Sequence, residues 1–114
     1  MGVKARAAAA GFLIAAASIS PAAAQRTSQR ALSDCARFAA VHFKRGDPSF
    51  RRFVIDRASV SDDRYAAMAG NQFIETVYSG SATYETGGGT RKVMFICLYG
   101  GLEKGALFVY TLPH

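Results

Sequence analysis

The apolar positions along the chain fall into two stretches of different period. From Thr27 to Gly46, in TSQRALSDCARFAAVHFKRG, they recur every three or four residues. At about 100° per residue, Leu32, Cys35, Ala36, Ala39 and Phe43 share one face, flanked by Phe38 and His42. Arg30, Ser33, Arg37, Lys44 and Arg45 fall on the other. This stripe predicts an amphipathic helix with Cys35 turned inward. Thr27 and Ser28 are its candidate N-caps, and Lys44, Arg45 and Gly46 make the cationic last turn and terminal glycine. The GDP at Gly46 to Pro48 stops it.

Beyond Pro48 the period shortens to two. FVIDRASV, Phe53 to Val60, predicts a strand, and the SDDR that follows reads as a turn. Tyr65 to Gly70 fits strand, short helix or loop. QFIETVY, Gln72 to Tyr78, alternates as a strand; Ser81 to Glu85 extends it through Gly80 or forms a separate one. TGGGT is a loop, KVMFICLY a buried strand, GGLEKG a turn and ALFVYTL a last strand, so two hairpins close the chain. Val93, Phe95, Cys97 and Tyr99 share one face of their strand and Met94, Ile96 and Leu98 the other. With both faces apolar, that strand is expected at the centre. The pattern predicts an α+β fold, one N-terminal amphipathic helix packed on a four- or five-stranded antiparallel sheet.

The first 24 residues stand apart. Lys4 and Arg6 precede an apolar stretch from Ala7 to about Ile19, followed by Pro21 and the small residues Ala22, Ala23 and Ala24. These are the parts of a secretory signal peptide cleaved after Ala24. The stretch is mostly alanine and is broken by Ser18, Ser20 and Pro21, whereas a membrane span needs roughly 20 strongly apolar residues. LSDC at Leu32 to Cys35 is a poor lipidation site, because Asp34 stands where a small neutral residue is required. Residues 25–114 then form a single small exported domain, in the periplasm or secreted, with no stable membrane insertion after cleavage. The 14 basic and 8 acidic residues of the whole chain become 12 and 8. Nine of the basic residues lie between Arg26 and Arg64.

Export decides what the two cysteines can be. Cys35 and Cys97 are most economically one disulfide, since the helix has to bury its apolar face on the sheet whose central strand carries Cys97. A thiol nucleophile needs a neighbouring base, and only His42 and His114 are present. Zinc needs three or four converging ligands, yet Cys35 and His42 are separated by about 10.5 Å of helical rise. No metal and no cofactor is expected.

Other motifs have plainer readings. GGGTRK, Gly87 to Lys92, leads into a strand rather than a helix, so it is a hairpin loop and not a phosphate-binding loop. SFRRF, Ser49 to Phe53, interleaves basic and aromatic residues. In an exported protein its partner is not nucleic acid, and Arg51, Arg52 and Arg57 are candidate ligands for an anionic envelope polymer. Asp62 and Asp63 read as solvated turn acids.

SGSATY, Ser79 to Tyr84, is similar to the Ser-Gly loop and following tyrosine of the C-type lysozyme inhibitors of bacterial periplasms. The likeness covers six residues, with three rather than two between Gly80 and Tyr84. It implies an all-β barrel, which the leading helix does not match, and inhibition of a cell-wall hydrolase such as lysozyme as an alternative function. The expected role is a non-enzymatic protein that binds an envelope protein or an anionic envelope polymer. A small hydrolytic enzyme is the other alternative, and it would have to bring His42 or Asp62 against a pocket.

Overall fold

Leu32, Cys35 and Ala39, spaced three or four apart, form one buried stripe with Ala31 along helix α1 (Pro21–Gly46). A computed structural model describes the backbone of residues 21–113 and the side chains of 28–113; the expected signal peptide lies outside the described residues as far as Ser20. Thr27 and Ser28 lie inside α1 rather than capping it. The far end is as expected. The Asp47 N–H donates to Phe43 O at 2.9 Å to close the last turn, and Pro48, lacking an N–H, prevents another. No described helix is long and apolar enough to cross a membrane.

Five antiparallel strands follow: β1 (Phe50–Ile55), β2 (Ser61–Ala69), β3 (Gln72–Thr86), β4 (Gly89–Gly100) and β5 (Gly105–Pro113). They fill only four columns. β1 pairs with Ala82–Thr86 and β2 with Gln72–Ser79, so the two lie end to end along one edge of β3, with β4 and then β5 on the other side. Their junction is a 3-10 turn at Arg57–Ser59. Ser59 Oγ accepts the Ser81 N–H at 2.8 Å, and the Asp56 N–H donates to Ser81 O at 2.9 Å. The turn presses on Gly80, where an added Cβ would stand 2.9 Å from Ser59 Oγ and 3.1 Å from Val60 Cα. Glycine is needed there.

Three local expectations change. The strand expected over Phe53–Val60 ends at Ile55. SDDR is the start of β2 and not a turn, and the ambiguous Tyr65–Gly70 stretch completes that strand up to its hairpin. Pairing with β3 imposes the extended form on a sequence with little strand propensity of its own. β2 is irregular as a result. Its register shifts between Arg64 and Ala67, where Ala66 has φ 49°. Gly80 does not split β3, which runs unbroken for 15 residues.

The helix lies across one face of the sheet, chiefly against the outer strands β1 and β5. Beneath it Phe53, Tyr84, Val93, Phe95, Cys97 and Val109 make the core. Cys35 and Cys97 are both fully buried and disulfide-bonded, with Cα atoms 6.1 Å apart and a sequence separation of 62. By alternation Phe108 belongs to the outer face, yet its ring lies 6.4 Å from Phe38 and 5.6 Å from His42. The flank of α1 thus closes against the β5 edge.

Candidate anion-binding site

The register of the sheet gathers cations from three separate parts of the chain. Phe50, Phe53 and Tyr84 are buried together, and Phe43 at the end of α1 packs its ring 6.0, 5.6 and 5.3 Å from theirs. This aromatic cluster fixes the end of α1, the start of β1 and the β3–β4 hairpin to one another. Lys44 and Arg45 end the helix, and Lys44 Nζ donates to Phe50 O at 3.4 Å. Arg51 and Arg52 begin β1. Across the hairpin, Arg91 stands opposite Tyr84 and Lys92 opposite Thr83. Arg52 and Lys92 are two columns apart and two residues out of step along the strands, roughly 12 Å at normal strand spacing and rise. All six cations are exposed.

The acids at this end are already engaged. Asp47 accepts the Ser49 hydroxyl at 2.7 Å, the Ser49 N–H at 3.0 Å and the Tyr84 hydroxyl at 3.0 Å. The Ser49 hydroxyl first, then its N–H and the Tyr84 hydroxyl, hold the Asp47 carboxyl below the usual carboxylate range. Burial, with the bond to Asp47, pushes the Tyr84 phenol up. Glu85 accepts Arg52 Nε at 2.7 Å, and the Arg91 guanidinium lies 4.4 Å over the Tyr84 ring. Lys44, Arg45, Arg51 and Lys92 face solvent with no ion-pair partner among the described residues.

The three arginines expected to act together divide. Arg51 and Arg52 belong to this end. Arg57 does not: it donates to Gln29 O at 3.2 Å, to Gln29 Oε1 and to Ser33 Oγ at 3.2 Å, tying the 3-10 turn to α1. The expectation missed Lys44, Arg45, Arg91 and Lys92 as members, although the hairpin read at TGGGT, with β1 laid alongside it, would have placed them.

The other sequence candidates are dispersed. His42 is exposed on α1 among the rings of Phe38, Phe43 and Phe108. Asp62 stands on β2 opposite Tyr78, so β3 and β4 separate it from the β5 edge where His42 packs. Among the described residues no three His, Cys, Asp or Glu side chains converge. Ser79–Tyr84 forms no loop; it is the middle of β3, with Tyr84 buried. At the opposite end of the sheet, a cleft of about 710 Å³ opens between the β2–β3 and β4–β5 turns, lined by Met68, Phe73 and Leu102 beside the Glu75–Lys104 ion pair. None of the six cations lines it. Comparison of the chain with protein-family models, with curated proteins and with solved structures finds no match.

Proposed function

We propose that this chain is a non-catalytic exported protein that binds an anionic polymer of the cell envelope on its cationic end. The observation that carries the reading is the convergence of Lys44, Arg45, Arg51, Arg52, Arg91 and Lys92, with Asp47 and Glu85 both engaged by protein donors. Export is supported by the signal-like N-terminal pattern and by the disulfide, which is compatible with an oxidising compartment. Exposed charges attract over a Debye length, about 10 Å at 0.1 M salt. Arg52 and Lys92 lie about that far apart across the sheet, so a flexible polyanion can meet more than one cation at once.

The test is binding of lipopolysaccharide, and of heparin as a generic polyanion, at rising ionic strength. Replacing Arg45, Arg51 and Lys92 together by serine should weaken binding about fivefold per cation, taking about 1 kcal/mol for each basic residue at an anionic surface. Arg57→Ser, outside the cluster, should leave binding intact. Equal losses in the two variants, or binding that ignores salt, would refute the site.

A further inference from the structure

We propose that the outer face of the sheet docks on an anionic lipid bilayer, its apolar part against the acyl boundary and its cationic part against the phosphates. The inference deepens the reading above and rests on it for the anion. Met94, Ile96 and Leu98 alternate with the inward Val93, Phe95 and Cys97, so they face away from the helix. Register sets Leu112 beside Met94, Tyr110 beside Ile96 and Val77 beside Leu98, with Ser81 and Ser79 on the β3 side of Met94 and Ile96, so the apolar part is the β4–β5 half of the face. Met94, Leu112 and Tyr110 are 38, 50 and 56 % exposed, and Val54, on the same face of β1, is 47 % exposed. Val77, Ile96 and Leu98 are half-buried.

The charges on the same face are graded. The row Val54–Thr83 continues to Lys92, and the next row outward holds Arg52 and Glu85. Glu85 is paired with Arg52, and the other acids on this face, Asp63 opposite Val77 and Glu75 paired with Lys104, lie toward the far end of β3. The apolar positions therefore run directly into Lys92 and then into the paired Arg52 and Glu85. A soluble polyanion would leave Met94, Tyr110 and Leu112 in water, and a second copy of the chain could meet Lys92 only with a carboxylate from the far end of the same face, Asp63 or the Lys104-paired Glu75. An anionic bilayer offers acyl chain and phosphate side by side, in the order the face presents. Apolar burial and attraction to anionic headgroups then add.

The protein as recovered from its own cells would be sedimented with phosphatidylglycerol–phosphatidylcholine vesicles and with phosphatidylcholine vesicles alone. Every variant carries the same N-terminus, so whatever that segment contributes cancels in the comparison. Selective binding to the anionic vesicles is expected. Met94→Ser with Leu112→Ser should weaken it about tenfold or more, given the area these side chains would bury, while heparin retention and the melting midpoint stay near those of the parent. Should that pair fail to fold, Tyr110→Ser at a more exposed position supplies the comparison. Heparin retention with no vesicle binding, or with vesicle binding indifferent to the serines, would overturn the docking and leave the polyanion reading standing. Equal binding to neutral vesicles would also overturn it, as would a dimer that the serines dissociate. Loss of heparin retention in the parent, with vesicle binding indifferent to Arg45, Arg51 and Lys92, would instead sink the anion-binding reading itself.

Discussion

Asp47 shows how a single side chain holds three elements at one corner. It lies between α1 and β1 and accepts a hydroxyl from β3 through Tyr84. Its carboxyl is held below the normal range, so the ionised form is the one that stabilises the fold. That contribution is complete above the unfolded value of about 3.9 and is lost as pH falls through the lowered folded value. Melting of the parent and of Asp47→Asn between about pH 2 and 6 should differ fully above pH 4, with the gap closing below it. A gap that persists at the acid end would mean that the corner is not held by ionisation. Tyr84, raised in the folded protein, behaves in the opposite sense: its share is present below about pH 10 and is lost as pH rises through its raised value.

Among the elements, α1 and β4 form the pair that the disulfide locks together. Closing a loop with a separation of 62 residues removes unfolded-state entropy worth about 4 kcal/mol in the chain-entropy model. Cys97→Ser should therefore lower unfolding free energy by about 2 to 5 kcal/mol, read by urea titration. A variant unfolding at the parent's urea concentration would show that the apolar contacts of α1 suffice alone. These two elements were also the most legible in the sequence. The helical phase of Leu32, Cys35 and Ala39 and the apolar alternation of Val93 to Tyr99 are local signals that tertiary packing reinforces. β2 was not legible, because Ser61 to Arg64 has turn composition and becomes extended only by pairing with Thr76 to Ser79. Nor could Arg57 be assigned: its partners Gln29 and Ser33 are 28 and 24 residues away, and only the docking of α1 brings them within reach. Arg51 and Arg52 were singled out from their spacing, whereas Arg91 and Lys92 join them through sheet register.

For the whole molecule, the asymmetry of charge is sharper than the sequence halves suggested. The basic excess gathers at the end where α1, β1 and the β3–β4 hairpin meet, while Asp62, Asp63 and Glu103 lie on β2 and at the β4–β5 turn. Processing is expected to leave that polarity unchanged. The buried stripe of α1 is described from Ala31 onward, so removal of residues up to Ala24 would take away no described core contact. Intact mass of the exported protein should correspond to a start at Gln25, and a membrane-bound species retaining Met1 would overturn that boundary.

The seating of α1 on β1 and β5, the first and last strands of the chain, governs how the protein can be made. Synthesis at about 5 to 20 residues per second puts about 3 to 13 s between completion of the helix and of β5. Throughout that interval the helix lacks the cover that β5 gives it, and the Cys35 thiol precedes its partner by 62 residues. With two cysteines in the chain, only one pairing is possible within it. The error open to biosynthesis is therefore a bond between two nascent chains, and the exposure ends only when the final hairpin closes over the helix.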